Sequence, residues 1–255
     1  MELRRCGSLA VSALAILGFA GFALAGELQR PLGVVELFTS QGCNSCPAAD
    51  RFLGELAEKG EVVALAYHVS YWDYLGWKDT LASEENTDRQ YEYMRSFGAR
   101  SVYTPQAVIN GRKHVSGSDR SAVEAAIGEL NQAGAGMKVG IKVTRAGDSV
   151  VIEAAPSADT SAEAHVRLVY YDPPQPIEIA RGENRGTTVV YWNAVRSVHT
   201  AGIWHGEKAR FELPATEIAK KGGGGCAVLL QSVGKDGAPG PILGAAVIDK
   251  DAPAN

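Results

Sequence analysis

The sequence predicts an α/β domain followed by a β-sandwich-like domain. From residue 31 to about residue 132, apolar runs of strand length alternate with runs of helical spacing, which is typical of helices packed on a sheet. After the small-residue segment "NQAGAGM", apolar and polar residues alternate between Gly-, Pro- and Asp-rich turns, which indicates short antiparallel strands. The chain has 255 residues and 45% hydrophobic content, enough for one large core or two ordinary ones.

The first 25 residues have the composition of a secretory signal. A basic start, "MELRR", precedes the apolar run "LAVSALAILGFAGFALA", which ends in the small-x-small pattern of a cleavage site. We therefore expect cleavage before Gly26 and export to the periplasm or the extracellular space, with an uncleaved membrane anchor as the alternative. The predicted divisions are residues 1–25 (signal peptide), 26–134 (α/β domain) and 135–255 (β-rich domain).

Charge and hydropathy argue against two classes of partner. The formal net charge is −4 with no block of Lys or Arg, which does not favour nucleic-acid binding. Beyond the signal, no stretch is apolar for long enough to span a bilayer, so we expect no stable membrane insertion once the signal is removed.

The first domain is predicted to run strand, helix, strand, helix, hairpin, helix. "GVVELFTS" and "EVVALAYHVS" are the strands, and "CPAADRFLGELAEKG" between them has helical spacing with Gly60 as its end. "SEENTDRQYEYMRSFG" is predicted as a helix that begins at the N-cap Ser83 and ends at Gly98. "PQAVINGRKHVSG" predicts a hairpin that turns at Asn110-Gly111, and "SDRSAVEAAIGELNQAG" predicts the last helix.

The second domain is predicted to consist of strands without a helix between them. "KVGIKVTRAGDSVVIEAAP" alternates on both sides of Ala146-Gly147-Asp148, which indicates a hairpin. Further strands are predicted at "AHVRLVYYD", "PIEIA", "TTVVYWNAV", "ARFELP", "CAVLLQSV" and "ILGAAVID".

Two cysteines, Cys43 and Cys46, stand between the first strand and the first helix. A thiol at a helix N-terminus faces unpaired backbone N–H groups and the positive end of the helix dipole, and both lower the cysteine pKa. The two-residue spacing lets Cys43 attack a disulfide and Cys46 resolve the mixed disulfide that results. The isolated Cys226 is expected to be a small buried residue, with a third redox thiol as the alternative.

The chain resembles the thioredoxin superfamily in "VVELF", in Cys43-Asn44-Ser45-Cys46 and in "VYTPQAVING". The resemblance implies a thioredoxin-like first domain, a Cys43–Cys46 disulfide and a cis proline at Pro105, which with Thr104 would shape the substrate groove. It also implies a buried acid on the strand before the motif that manages the proton of the resolving cysteine, and Glu36 stands at that place. A carboxylate in an apolar strand needs a task or a partner, so a structural ion pair is the alternative for Glu36.

Longer segments resemble a narrower family of exported bacterial proteins, known as domain of unknown function 1223. The matching segments are "VELFTSQGCNSCPAAD", "YHVSYWDYLGWKD", "VYTPQAVING" and "RGENRG" with the residues after it. This resemblance implies a thioredoxin-like domain fused to a β-rich one, and it supplies no substrate. The dipeptide Asn44-Ser45 differs from those of the best-known oxidoreductases, so the direction of electron flow stays open.

The segment "HVSYWDYLGWKD" follows a strand that is expected to lie parallel to "VVELF". Carboxyl ends of parallel strands meet at one edge of a sheet, so these side chains are expected near the cysteines. They would form a substrate-facing aromatic wall in which His68 or Asp73 handles protons; alternatively, the aromatics cap the core and Asp73 caps a turn. The residues concerned are His68, Tyr71, Trp72, Asp73 and Trp77.

Two other features are expected to be structural. Asp50, one helical turn past Cys46, is predicted to be a solvated helix residue. "RGENRG" is predicted to be a loop between strands, with anion binding through Arg181 and Arg185 as the alternative.

The function predicted from the sequence is that of an exported thiol–disulfide oxidoreductase. Its partners would be protein thiols or disulfides and a redox partner that resets the cysteines, and it would need no cofactor beyond its own disulfide. One alternative is a Cu(I)-handling protein, since thiolates suit Cu(I) and His68 or His114 could be a third ligand. The other is a non-catalytic binding module in which the Cys43–Cys46 bridge is structural.

Overall fold

The computed structural model describes residues 30–159, 161–221, 223–234 and 236–248. The predicted signal peptide, residues 1–25, lies outside the described residues. Within the described ranges, no helix is both long enough and apolar enough to cross a membrane.

The first sheet has four strands in the order β2-β1-β3-β4. β1 pairs with β2 in parallel and with β3 antiparallel, and β3 and β4 form a hairpin. Its strands are β1 (Val34–Thr39), β2 (Val63–His68), β3 (Gln106–Ile109) and β4 (Lys113–Ser116). The helices connected to them are α1 (Cys46–Lys59), α2 (Glu84–Ser96) and α3 (Arg120–Gln132), with a short 3-10 turn at Asp73–Leu75.

Local signals in the sequence set the ends of these elements. Gly60 closes α1 in a left-handed conformation, at φ 66°, and its N–H donates to the carbonyl of Leu56. The Ser83 side chain caps α2 by accepting the N–H of Asn86. Asn110 and Gly111 both have positive φ at the β3–β4 turn, as a two-residue hairpin turn of this type requires. The predicted helices and hairpin of this part are therefore confirmed.

The described residues after α3 form three more sheets. They are a four-stranded sheet in the order β10-β7-β12-β13, a three-stranded sheet in the order β11-β6-β5, and the two-stranded ribbon β8-β9. Their strands are β5 (Ile141–Ala146), β6 (Ser149–Ala154), β7 (Ala164–Tyr171), β8 (Gln175–Glu178), β9 (Thr188–Tyr191), β10 (Val195–Trp204), β11 (Ala209–Pro214), β12 (Gly225–Val233) and β13 (Pro239–Ile248). One helix, α4 (Ala215–Lys221), lies between β11 and β12.

The two faces of the first sheet have different neighbours. Val35 and Leu37 pack with the apolar residues of α1 and α3. Val34 and Phe38 point to the opposite face, where they share a core cluster with residues of the β10-β7-β12-β13 sheet. The predicted boundary at residues 134 and 135 falls between α3 and β5, and it stays a prediction.

The predicted fold class, an α/β thioredoxin-like domain followed by a β-sandwich-like domain, is wrong. The described residues are 39% strand and 23% helix, arranged in four small sheets with four α-helices. The prediction gave most weight to the strand–helix alternation of the first part, whereas most strands lie in the second. It also missed α4, which is short and buries only Ile218, so it leaves too little periodicity in the sequence to be recognised.

Candidate active site

Cys43 and Cys46 form a disulfide with a Cα–Cα distance of 5.4 Å. Cys46 is the first residue of α1, and Cys43 lies in the turn that leads from β1 to this helix. The disulfide implied by the resemblance is therefore present. The other cysteine of the described residues, Cys226, is a free thiol buried in the core of the second part, and burial raises its pKa to about 12.

The start of α1 offers an electrostatic environment suited to a thiolate. Ser45, at the N-cap position, makes no side-chain capping bond, and its Oγ lies 3.4 Å from Cys43 Sγ. Pro47 occupies the first turn, where a missing N–H costs no helical hydrogen bond. The uncapped N–H groups and the helix dipole would stabilise negative charge on Cys43 once the disulfide opens.

The disulfide is covered in this structure. Cys43 is 3% exposed and Cys46 is 0% exposed, although Asn44 and Ser45 between them are on the surface. Trp72 packs against the turn on one side, because a Cβ placed on Gly42 would lie 3.1 Å from the Trp72 Cβ. A thiol in solution therefore has no direct approach to either sulfur atom.

A loop from the second part of the chain also holds the turn. Residues 179–187 join β8 to β9, and we call them the cover loop. The buried Asn184 of this loop donates from Nδ2 to the carbonyl oxygens of Gln41 and Cys43, each over 2.9 Å. Arg181 and Arg185 of "RGENRG" are exposed, and this segment is a loop between strands, as predicted.

An apolar cluster anchors the cover loop. Ile179, Val189 and Tyr191 are buried together and pack against Trp77. Trp77 in turn donates from Nε1 to Gln41 Oε1 over 2.8 Å. Gln41 is the first residue of the turn at residues 41–45 that carries Cys43, which we call the cysteine turn. The structure therefore places Trp77 beneath the cover loop.

The peptide bond between Thr104 and Pro105 is cis, and a Cβ placed on Gly117 would lie 3.2 Å from Pro105 Cβ and 3.4 Å from Ala49 Cβ of α1. Trp72 Nε1 donates to Thr104 Oγ1 over 2.7 Å, which links this segment to the side chain that packs on Gly42. Tyr71 lies beside Trp72 and donates to Gln90 Oε1. The predicted groove residues Thr104, Pro105, Tyr71 and Trp72 are thus brought together near Cys43.

Asp73 serves the backbone of its own segment. Its Oδ1 accepts the N–H of Asp79 over 3.0 Å, and burial raises its pKa. The geometry matches the alternative in which Asp73 caps a turn.

Glu36 does not face the cysteine helix. It projects from β1 on the side of Val34 and Phe38, whereas α1 packs on the side of Val35 and Leu37. Both Nε and Nη2 of Arg89 donate to Glu36 Oε1, over 2.9 and 2.7 Å, and the Tyr93 hydroxyl donates to Oε2. The geometry therefore matches the structural ion pair rather than a proton-handling role beside Cys46.

The acid that lies on the buried face of the cysteine helix is Asp50, and the prediction that it is solvated is wrong. Asp50 is 3% exposed, and Thr39 Oγ1 donates to its Oδ1 over 2.7 Å. Burial raises its pKa to about 7, partly offset by the His68 charge and the Thr39 hydrogen bond. Its spacing was the available signal: four residues after Cys46 and three before the buried Leu53, Asp50 falls on the buried face.

His68, at the end of β2, belongs to the same buried region. Its Nδ1 donates to Asp79 Oδ2 over 2.8 Å, and the same oxygen accepts the backbone N–H of Gln41 over 2.8 Å. Burial lowers the pKa of His68, but the charge and hydrogen bond of Asp79, together with Asp50, outweigh this and raise it. For Asp79, burial is likewise outweighed by His68 and by hydrogen bonds, so its pKa is lowered. His68 and Asp79 therefore form a buried hydrogen-bonded pair next to the cysteine turn.

The fold and the site define a β-rich protein with a covered CxxC disulfide at a helix start. Residues 34–231 match the family described as "Protein of unknown function (DUF1223)", and the chain belongs to this family. It is similar to the crystal structure of protein AGR_C_4864 from Agrobacterium tumefaciens, with 42% sequence identity, a TM-score of 0.80, and coverage of 89% of this chain and 97% of that one.

A more distant structure shares the fold alone. HBP35 of Porphyromonas gingivalis is 14% identical, with a TM-score of 0.56 and coverage of 90% of this chain and 78% of that one. No curated protein matches the chain. The family resemblance seen in the sequence is thus confirmed, whereas none of these comparisons confirms the thioredoxin superfamily.

Proposed function

We propose that the protein is an exported thiol–disulfide oxidoreductase that acts on protein thiols or disulfides through Cys43 and Cys46. One observation carries the proposal: the two cysteines form a disulfide at the uncapped start of α1. The likeness of the motif to thioredoxin-superfamily oxidoreductases supports the same chemistry. Structural disulfides need no helix dipole, whereas a leaving or attacking thiolate is stabilised by one.

The reaction follows from these positions. A substrate thiolate attacks Cys43 Sγ, the Cys43–Cys46 bond breaks, and its electron pair leaves on Cys46 as a thiolate. A second substrate thiolate then attacks the substrate sulfur of the mixed disulfide and releases Cys43 as a thiolate. The substrate is oxidised to a disulfide and the protein is reduced to the dithiol; the reverse steps reduce a substrate disulfide.

Tyr71, Trp72, Thr104 and Pro105 are the residues we propose for the substrate groove. Tyr71, Trp72 and Thr104 are half-buried and lie next to the cysteine turn, so they would contact a chain bound to Cys43. Since Cys43 is 3% exposed, the cover loop must move before that chain can bind.

The second candidate is a structural disulfide in a non-catalytic module, and the burial of both sulfur atoms favours it. The two candidates differ in whether Cys43 can form a mixed disulfide. The Cu(I) alternative stays a prediction that no specific contact favours. Among the described residues, no group of three or more His, Cys, Asp or Glu side chains could hold a metal ion.

Trapping the mixed disulfide decides between exchange and a structural bridge. Reduced Cys46→Ser protein mixed with an oxidised protein substrate should accumulate a covalent adduct through Cys43, detected by mass spectrometry. Cys43→Ser should give none, because the thiols that remain in the described part of the chain, Cys46 and Cys226, are both fully buried. Cys226→Ala is the matched control, since it removes a buried thiol away from the site and should keep full exchange. If Cys46→Ser forms no adduct and the wild type catalyses no exchange, the bridge is structural.

A further inference from the structure

Three buried polar atoms around the cysteine helix lack a hydrogen-bond partner among the described residues. They are Asp50 Oδ2, His68 Nε2 and the Tyr191 hydroxyl. Buried polar atoms are nearly always paired, so three unpaired ones in one region call for a functional or structural explanation.

These three groups are neighbours. The His68 and Tyr191 rings meet edge to face with centroids 4.8 Å apart. Asp50 interacts electrostatically with His68, and Tyr191 interacts electrostatically with Asp50. Asp50 comes from α1, His68 from β2 and Tyr191 from β9, so the packing of three separate elements brings them together.

The cluster lies next to Cys46. In the proposed reaction Cys46 is the leaving group when the disulfide opens and the nucleophile when it closes. Cys46 and Asp50 are four residues apart on α1, so their side chains are neighbours on one face, and both are buried. Thr39 occupies Oδ1 of Asp50, which leaves Oδ2 available.

We propose that Asp50 exchanges a proton with Cys46 during each disulfide opening and closing, while the nearby His68 stabilises the ionised form of the Asp50 carboxyl group. The inference rests on the proposed thiol–disulfide exchange. It assigns to Asp50, on the cysteine helix, the proton-handling role that the sequence had suggested for Glu36 on β1.

The step balances as follows. In a mixed disulfide at Cys43, the Cys46 thiol gives its proton to Asp50 Oδ2, and the resulting thiolate attacks Cys43 Sγ. The Cys43–Cys46 bond forms, the bond from Cys43 to the substrate sulfur breaks, and the substrate leaves as a thiolate. When the disulfide opens again, the Cys46 thiolate takes its proton back from Asp50.

The charges that face Asp50 from every side are suited to this exchange. Arg51 lies beside it on α1, Thr39 donates to it from β1, and His68, Asp79 and Tyr191 face it from the other elements. With the pKa of Asp50 raised to about 7, its carboxyl group can both accept and donate near neutral pH. His68 lies between the carboxylates of Asp79 and Asp50, so it is stabilised as a cation whenever Asp50 has lost its proton.

The test follows closure of the disulfide in a single turnover on a Cys226→Ala background. Reduced protein is mixed with Ellman's reagent: the first thionitrobenzoate marks attack by Cys43, and the second marks attack by Cys46. In Asp50→Asn, which keeps an acceptor for Thr39, the second release should slow on the order of tenfold or more at pH 7. The difference in this rate between Asp50→Asn and the wild type should become smaller above roughly pH 8.5, the ordinary thiol pKa, because solvent then removes the proton of the Cys46 thiol.

Glu58→Gln on the same helix is the matched control, since it neutralises an exposed carboxylate, and its pH profile should equal that of the wild type. If Asp50→Asn keeps the wild-type rate and profile, the proposal is overturned while thiol–disulfide exchange stands.

A second measurement does not depend on exchange or on any variant. The titration of Asp50 is followed by carboxyl carbon-13 NMR in the oxidised wild type and after chemical reduction by a phosphine. If the midpoint of the Asp50 titration changes on reduction, Asp50 and the Cys46 thiol share a proton. If the midpoint is the same in both states, the inference is overturned. If the wild type releases no second thionitrobenzoate but the titration moves, the proposed function fails and the proton coupling stands.

Discussion

Asn184 Nδ2 donates to the carbonyl oxygen of Cys43 over 2.9 Å, although 141 residues separate the two in the sequence. The same nitrogen donates to the carbonyl oxygen of Gln41, so one side chain holds both ends of the turn around Gly42. Asn184 is buried in the cover loop, and its hydrogen bonds fix this loop to the turn that carries Cys43. We therefore expect movement of the cover loop to control access to Cys43.

Removing the Asn184 side chain should expose the disulfide. Asn184→Ala loses two hydrogen bonds, each contributing about 1 kcal/mol, so the open state of the loop becomes more populated. We expect dithiothreitol to reduce the Cys43–Cys46 bond roughly thirtyfold faster than in the wild type, the factor that corresponds to about 2 kcal/mol. Alkylation of the freed thiols at timed intervals, followed by mass spectrometry, gives the rate.

Glu183→Ala is the matched control, because Glu183 is the exposed neighbour of Asn184 in the same loop. Its reduction rate should equal that of the wild type. Equal rates for Asn184→Ala and the wild type would show that the loop does not limit access to the disulfide.

The buried pair of Glu36 and Arg89 should be needed for stability. Gln231 Oε1 on β12 also accepts from Arg89 Nη2, so the pair connects β1 and α2 to the second part of the chain. Arg89→Met leaves the Glu36 carboxylate buried without its cation, which should lower the free energy of unfolding by about 3–5 kcal/mol. Urea denaturation of the oxidised protein measures the loss.

Two comparisons test the reason for that loss. Glu36→Leu combined with Arg89→Met removes both charges and should be less destabilised than Arg89→Met alone. Lys113→Met breaks an ion pair with Glu129 in which both side chains are well exposed, and it should change stability by less than about 1 kcal/mol. A loss at Arg89 as small as that at Lys113 would contradict the structural role of the pair.

The helix and turn ends of the first part could be predicted because their signals are local. The cap at Ser83 and the turn at Asn110-Gly111 depend on residues two to four positions away. The role of Glu36 could not be assigned in this way. It depends on which face of β1 carries α1, and the loop before Cys43 leaves that register open.

Long-range contacts could not be predicted from the sequence. Asn184 bonds to backbone carbonyls, which leave no pattern of residue types to recognise. The fold class failed for a related reason: strand periodicity locates single strands but does not say how they divide into sheets. The four separate sheets follow from pairings such as β12 with β7, which join segments far apart in the chain.

Replacing two helical glycines by alanine should change the stability of the protein in opposite directions. A Cβ on Gly54 of α1 would lie 2.7 Å from Trp192 Cδ1, whereas one on Gly128 of α3 would meet nothing within 4 Å. Alanine favours a helix interior by about 1 kcal/mol over glycine, so Gly128→Ala should stabilise the protein by about that amount. Overpacking costs about 1–3 kcal/mol, so Gly54→Ala should be net destabilised by on the order of 1 kcal/mol.

Thermal or urea unfolding of both variants checks the comparison, and each serves as the control of the other. Gly54→Ala should also disturb the packing of Trp192, which its fluorescence reports. Stabilisation by Gly54→Ala equal to that by Gly128→Ala would mean that Trp192 is not packed on the cysteine helix.

The stability of the oxidised protein should fall as the pH rises from 5 to 7. Burial raises the pKa of Asp50 from 3.8 to about 7, so the folded state holds a proton that the unfolded chain has already released. Stability falls with pH wherever the folded state binds more protons. The raised pKa of His68 acts in the same direction above its ordinary value of 6.5, whereas the lowered pKa of Asp79 acts only in the acid range below 3.8.

Asp50→Asn isolates the contribution of that carboxyl group. Since one pKa unit corresponds to about 1.4 kcal/mol, the wild type should lose on the order of 2 kcal/mol more than Asp50→Asn between pH 5 and pH 7. Urea denaturation at both pH values gives the two slopes, and the exposed Glu58→Gln should follow the wild type. If the free energy of unfolding falls with pH equally in Asp50→Asn and the wild type, Asp50 has the same pKa in the folded protein as in the unfolded chain. Such a carboxylate would have no proton to exchange with Cys46 at neutral pH.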